Sequence, residues 1–248
     1  MPIRFEGIRK AFGPKVVLDG VDLEIHDGEC FFLVGSSGVG KSVLIKHLIG
    51  LLRPDGGRIY LDGQELGGLE EQDFYPVRRK CAMVFQHSTL FDSMTCVENV
   101  ALPLRKHKRL SNAEALEEAH RRLEQVHMRE FADAYPAEIG SGMQKRVAIA
   151  RALTLDPEYV LFDEPTTALD PVSARRVDRL IRELCDEIGV TSIVVSHDLV
   201  SIFTIADRIA MLYKGGIRLL GTRDDFQGTG DPVVRQFMTG EAEGPMEV

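Results

Sequence analysis

The chain is short of the features that would place it in several large classes. Its 248 residues hold four cysteines, Cys30, Cys81, Cys96 and Cys185, and none stands in a C-x-x-C pair. Scattered single cysteines argue against a disulfide framework and read as reduced thiols of a cytosolic protein. No apolar run approaches the roughly 18 residues that a bilayer-spanning helix needs, so a membrane role is expected only through a partner. Met1–Glu6 carries no apolar signal core. A basic excess is also missing: 30 Lys and Arg stand against 38 Asp and Glu, a net charge of −8. That balance argues against a nucleic-acid partner, although a local basic patch stays open. Six of the seven histidines show no metal-ligand spacing, and there is no internal repeat or low-complexity tract. What remains is a chain 44% hydrophobic and 27% charged, enough for one globular α/β domain with a sizeable core.

The most informative stretch is Gly35-Ser36-Ser37-Gly38-Val39-Gly40-Lys41-Ser42, which fits the pattern G-x-x-x-x-G-K-[ST]. Glycines let the backbone curl so that successive N–H groups face phosphate oxygens. Lys41 brings a point charge to the outer phosphates, and the Ser42 hydroxyl is placed to ligate Mg2+. The flanks agree. Cys30–Val34 reads as a buried strand, and Val43 to Ile49 continue in helical style. Strand, loop and helix N-terminus together make an anion site.

Strands and helices alternate along the rest of the chain, which predicts a largely parallel sheet covered on both faces. Ile3–Phe12 and Val16–Ile25 read as early strands joined by Gly13-Pro14. Arg58–Leu61 ends at the turn Asp62-Gly63. Ala82–Phe85 is a further apolar run closed by Gln86. From about residue 95 to 155 the chain turns helix-rich and charged, and Ser111 with Glu114 forms a capping box. This block reads as a helical subdomain inserted into the core. Tyr159–Phe162 is a strand ending in Asp163-Glu164. Asp170-Pro171 opens a helix with the apolar stripe Val177, Leu180, Ile181, Leu184 and Ile188. Thr191–Val195 is a buried strand closed by Ser196-His197-Asp198, and Arg208–Tyr213 with Gly216–Leu220 form a last hairpin. Residues 1–240 are therefore expected to form one domain, and 241–248 a frayed tail.

A phosphate loop needs a carboxylate on a second strand. Asp163 is expected at the ligand-facing edge of a parallel sheet, holding Mg2+ through water. Glu164 follows, placed to orient or deprotonate an attacking water. His197 closes the next strand and is expected at the γ-phosphate. Gln86 could reach both the cation and the attacking water, although a Gln after a strand says little alone. Ile139-Gly140-Ser141-Gly142-Met143-Gln144 precedes another helix and makes a second anion site. One nucleotide does not need two such sites from one chain, so the second is read as serving a nucleotide on another copy.

These motifs, in this order, resemble the ATP-binding cassette (ABC) ATPases over roughly Ile3 to Gly240. Gly35–Ser42 resembles the Walker A loop, Gln86 the Q-loop, Ile139–Gln144 the signature, Tyr159–Glu164 Walker B, Thr167–Asp170 the D-loop and His197 the switch histidine. Phe12, with Val17 beside it, resembles the adenine-stacking aromatic. The resemblance implies a P-loop NTPase core with an N-terminal antiparallel β-subdomain, ATP and Mg2+ as ligands, and hydrolysis to ADP and phosphate. It implies Glu164, His197 and Gln86 as catalytic residues and Ser42, Gln86 and Asp163 around the metal. It also implies a head-to-tail homodimer in which Gly140, Ser141, Gly142, Met143, Gln144 and Asp170 face the partner's ATP. The usual signature order is L-S-G-G-[QM]; here the serine sits one place later. Backbone N–H groups remain available there, and either hydrolysis is slow or Ser141 substitutes for the missing hydroxyl.

Phe91–Arg105, Tyr135–Arg151, Ile205–Lys214 and Asp231–Phe237 look like the bacterial Mla/Mce-type lipid-transport ATPases. That likeness implies an MlaE-type permease in the inner membrane, a STAS-domain protein and an Mce-domain lipid-binding protein as partners. The cargo it implies is phospholipid moved between two membranes, with the chain peripheral on the cytoplasmic face. An amino-acid or lipoprotein transporter, a soluble cassette protein and an unrelated P-loop kinase or GTPase are the rival readings. Leu90 and Phe91 either receive a permease helix or pack inside their own subdomain.

Overall fold

The computed structural model describes residues 3–246. Strands β1 (Ile3–Phe12) and β2 (Lys15–Ile25) form a hairpin, followed by β3 (Cys30–Val34) and helix α1 (Lys41–Leu48). Next come β4 (Gly56–Leu61), β5 (Gln64–Glu65), α2 (Phe74–Lys80) and β6 (Cys81–Val84). The helical block holds α3 (Cys96–His107), α4 (Asn112–Gln125) and α5 (Ser141–Ala152). The chain returns through β7 (Tyr159–Asp163), α6 (Pro171–Ile188), β8 (Thr191–Val195) and α7 (Leu199–Ile205). It finishes with β9 (Arg208–Tyr213), β10 (Gly216–Gly221), α8 (Arg223–Gln227) and α9 (Pro232–Thr239).

Two sheets result. One is antiparallel, in the order β2-β1-β4-β5, and the turn into β5 is made by Asp62 and Gly63, both at positive φ. The other runs β10-β9-β3-β8-β7-β6, parallel from β9 to β6 with β10 antiparallel at its edge. β3 is buried at every position because both faces are covered. Its alternate residues serve two cores. Phe31 and Leu33 pack with Leu44, Ile45 and Leu48 of α1 and with the antiparallel sheet. Cys30, Phe32 and Val34 face the core built with α3 to α6. Ser111 and Glu114 close the expected capping box on α4, and Thr95 and Glu98 close a second one on α3.

Three expectations are corrected. Ile188 is 53% exposed and leaves the stripe of α6. The helix ends there because Gly189 turns left-handed, its N–H reaching Cys185 and that of Val190 reaching Leu184, and Val190 takes the apolar contact instead. Phe85 lies outside β6, exposed. Residues 241–246 are not frayed: the buried Gln236 carboxamide donates to the Glu241 carbonyl (3.2 Å) and accepts from the Met246 N–H (2.7 Å). The final two residues of the expected tail lie outside the described residues.

His47, in the last turn of α1, is buried between the two layers. Burial pushes its imidazolium below the ordinary histidine range, and Lys10 adds to this; the Leu44 and Val43 carbonyls and Asp55 oppose it. The unfolded chain therefore takes up the proton first as pH falls. The contribution of neutral His47 is complete above pH 6.5 and is lost as pH falls below that through the lower value of the folded state. Urea unfolding at pH 7.5 and 5.5 is expected to show a smaller acid loss of stability in His47→Phe than in the unmodified chain; equal losses would remove His47 as a source.

Candidate active site

The phosphate loop joins the carboxyl end of β3 to α1, and two of its glycines are fixed by contact as well as by φ. Gly35 has φ of 142°, and a Cβ there would lie 2.3 Å from the Leu212 carbonyl oxygen. Gly40, the N-cap of α1 at φ of 113°, would bring a Cβ to 2.8 Å from Val17. Val17 therefore seats the β1–β2 hairpin on the loop. Phe12, at the hairpin tip, is 47% exposed, with the Lys10 ammonium 5.4 Å from its ring centroid and Lys10 held by Asp55. Gly38 has φ of 74° but open space around it. The first turn of α1 has no acidic residue and no side-chain cap, so its N–H groups face the loop unopposed.

Lys41 is buried and its Nζ donates to the carbonyls of Gly35 (2.8 Å) and Ser36 (2.9 Å). Burial pushes its ammonium below the usual lysine range, and Glu164 and then Asp163 partly offset this. Ser42 Oγ donates to Asp163 Oδ1 at 2.5 Å, and Lys46 lies 3.8 Å from Asp163 Oδ2. Asp163 is buried at the end of β7, in register with Val195 at the end of β8.

Glu164 sits at φ of 49°, left-handed backbone that a non-glycine residue adopts at a cost of about 1–3 kcal/mol. Its N–H donates to the Val195 carbonyl (2.9 Å), and its carboxylate accepts from the Thr167 hydroxyl (3.0 Å). His197 Nδ1 lies 3.5 Å from its other oxygen, with the ring more than half exposed. Loop, buried Asp163, strained Glu164 and exposed His197 thus stand at the carboxyl ends of adjacent strands. Chemically, this arrangement is suited to hold polyphosphate and to set a carboxylate beside it.

The second glycine segment is built differently. Gly140 is the N-cap of α5 with no side-chain cap, and Ser141 is exposed. Gly142 is buried against α6: a Cβ there would lie 2.7 Å from Ser173 Cβ. The N-cap of α6 is Asp170, whose Oδ1 accepts from the N–H groups of Val172 (3.0 Å) and Ser173 (2.9 Å). Met143 packs on the core, and the Gln144 amide donates to the carbonyls of Pro136 (2.8 Å) and Ile139 (3.3 Å). Among the described residues no hydrogen bond or ion pair joins 140–144 to Gly35–Ser42.

Gln86 is exposed, and what is fixed about it is its main chain: Lys145 Nζ donates to the carbonyls of Phe85 (2.9 Å) and Gln86 (2.6 Å). Lys145 was not apparent as a site residue. Its one signal is position, three residues after Gly142 and four before Ile149 on the buried face of α5. Leu90 packs on the core, as one of the two expectations for this pair has it, and Phe91 is 49% exposed.

Gly35→Ala and Gly38→Ala separate these constraints. Gly38→Ala is expected to cost about 1 kcal/mol from backbone strain alone. Gly35→Ala adds a backbone collision and is expected to cost more than ~3 kcal/mol and abolish nucleotide binding. Denaturant melts and nucleotide titration check both; equal, small effects would contradict the contact argument.

The ABC transporter family profile matches residues 18–167. The chain is 37% identical over 244 residues to the probable ribonucleotide transport ATP-binding protein mkl of Mycobacterium leprae, covering 98% of this chain and 70% of that protein. It is 41% identical over 215 residues to the methionine import ATP-binding protein MetN of Rhizobium johnstonii, covering 87% of this chain and 59% of that one. It is 36% identical over 234 residues to the intermembrane phospholipid transport system ATP-binding protein MlaF of Haemophilus influenzae, covering 94% and 89%. The solved dimeric post-hydrolysis state of the ATP-binding cassette MJ0796, bound to ADP and Pi, superposes with a TM-score of 0.80 at 33% identity, covering 89% and 98%. A phosphate loop, a buried aspartate and a strained glutamate in this register, on this fold, with these relatives, lead to one conclusion: the chain belongs to the ABC transporter ATP-binding family and is an ATPase that converts ATP and water to ADP and phosphate.

Proposed function

We propose that the chain powers phospholipid transport between two membranes. In this reading it sits peripherally on the cytoplasmic face of an inner membrane, against an MlaE-type permease. The likeness to MlaF carries the reading, because it runs along nearly the whole of both chains. A STAS-domain protein and an Mce-domain protein would complete the assembly. Among the described residues no helix is long and apolar enough to cross a membrane, so attachment would run through the permease. Exposed Phe91, on the segment that follows Gln86, offers an apolar contact for a permease helix. The MetN likeness favours a second reading, import of an amino acid by the same machinery.

In the proposed site Lys41 and the loop N–H groups hold the phosphates, and Phe12 and Val17 bracket the adenine. The residues fit Mg2+: Ser42 Oγ and Asp163 Oδ1 converge, and among the described residues no group of three or more His, Cys, Asp or Glu is placed to hold a metal ion by itself. A cation that takes one or two protein oxygens and completes its shell with phosphate and water suits that set. Bound there, it would neutralise charge on the phosphates. Glu164, held by Thr167 and facing His197, orients or deprotonates the attacking water, His197 contacts the γ-phosphate, and Gln86 reaches the same water. Gly140, Ser141, Gly142, Met143, Gln144 and Asp170 would close the site of a second copy. Exposed Ser141 and the bare N–H groups of α5 supply that contact, while Met143 and Gln144 hold the helix end in shape.

Glu164→Gln is expected to cut turnover by ~10²-fold or more with ATP affinity kept; unchanged turnover would remove Glu164 from its role. Lys41→Ala is expected to weaken ATP binding, and wild-type affinity in that variant would contradict the loop assignment. Affinity purification from membranes is expected to yield an MlaE-type permease. Recovery of an amino-acid permease in its place would overturn the lipid reading.

A further inference from the structure

The segment between β6 and α3 belongs mechanically to the helical block rather than to the sheet from which it emerges. Lys145 of α5 donates to the carbonyls of Phe85 and Gln86. Arg151, near the end of the same helix, donates to the carbonyls of Thr89 (2.9 Å) and Ser88 (3.3 Å) and to the Thr89 hydroxyl (3.0 Å). Asn99 of α3, fully buried, accepts from the Phe91 N–H (2.8 Å) and donates to the Phe91 carbonyl (3.1 Å). Residues 85–91 are therefore gripped by two helices of the inserted block. Residues 81–84 pair with β7. The change of allegiance falls between Val84 and Phe85.

Lys145 is the tie that reaches Gln86 itself. Its side chain is 2% exposed, and among the described residues no carboxylate lies within ion-pairing distance of its Nζ. Burial draws its ammonium down to about 8, with only Asp163 opposing. An amine is rarely left in such a place without work for its N–H groups, and here two of them hold main-chain oxygens. One turn earlier on α5 lies Gly142, pressed on Ser173. A groove of about 270 Å³ lined by Gln86, Leu90, Ser141, Lys145, Thr167 and Leu169 marks where the three motif loops meet.

We infer that Lys145, seconded by Arg151, is a positioning residue that locks the Gln86 main chain to the signature helix, so that the two move as one piece. This rests on the proposed roles of Gln86 and of Gly140–Gln144, and assigns neither Lys145 nor Arg151 a contact with ATP. Gln86 would then reach the attacking water only when α5 is in place for the partner's nucleotide, which ties hydrolysis to pairing.

The test is Lys145→Met, which keeps the length and removes the donors, alone and combined with Gln86→Ala. In the single variant kcat is expected to fall about tenfold while KM for ATP stays within about twofold. In the Gln86→Ala background the same substitution is expected to change kcat by less than about twofold, since its effect runs through Gln86. Lys145→Arg, which restores donors, is expected to recover most of the loss. Chymotryptic cleavage after Phe85, followed without nucleotide, is expected to quicken about tenfold in Lys145→Met as the segment is released. Wild-type kcat in Lys145→Met, an undiminished loss in the Gln86→Ala background, or unchanged cleavage after Phe85 would each overturn the inference. If the unmodified chain fails to hydrolyse ATP, the functional reading falls, while the cleavage rate still decides the role of Lys145.

Discussion

A glycine loop at a helix N-terminus attracts anions in many settings; a hydrolytic site needs a carboxylate held opposite it. Here that relation is set by the register of the parallel sheet. Leu33 and Asp163 both stand level with Val195, so β3 delivers the loop and β7 the carboxylates at the same height on either side of β8. The 2.5 Å contact between Ser42 Oγ and Asp163 Oδ1 is the outcome. Shifting β7 by one residue would send Asp163 into the opposite face and leave Lys41 buried without compensating charge. The left-handed Glu164 follows from the same constraint. Its N–H is captured by the Val195 carbonyl, and the chain must turn there to place the next carboxylate outward.

Around this fixed centre the helical block shares an apolar core with the parallel sheet, and its side chains reach main-chain oxygens of the segment that follows β6. Lys145 and Arg151 grip residues 85–89, and Gly142 lets α5 approach α6 closely enough to touch Ser173. Such ties hold the local geometry of that segment firmly. The N-terminus of α5 has no side-chain cap, and in the proposed composite site its N–H groups would serve a nucleotide held by a second copy.

The phosphate loop, both carboxylates and His197 were legible because each ends a short apolar strand, and a parallel sheet places all such ends on one edge. Ser111 and Glu114 marked their helix because a capping box is local. Lys145 was not legible in its role. A lysine in a helix ordinarily reads as solvated, and its partners Phe85 and Gln86 lie about 60 residues earlier in the chain. Gln236, which pins residues 241–246, was hidden although its partners are close in sequence, because a glutamine in a helix ordinarily reads as solvated and its burial is not visible in the chain. Ile188 fits the period of α6, but periodicity cannot see the left-handed Gly189 that ends the helix beside it. The shifted serine of Ile139–Met143 was visible at once, and the structure adds that Gly142, not Ser141, is the position closed to change.

The central claim is that each chain carries half of a site and needs a second copy to finish it. Mixing two inactive variants tests this most directly. Lys41→Ala keeps an intact Gly140–Gln144 segment, and Ser141→Arg keeps an intact phosphate loop while obstructing an exposed position at the start of α5. Each alone is expected to lack ATPase activity. Their mixture is expected to regain it, because one site of the mixed pair is complete. A mixture as inactive as its components, or full activity in Ser141→Arg alone, would contradict the composite site.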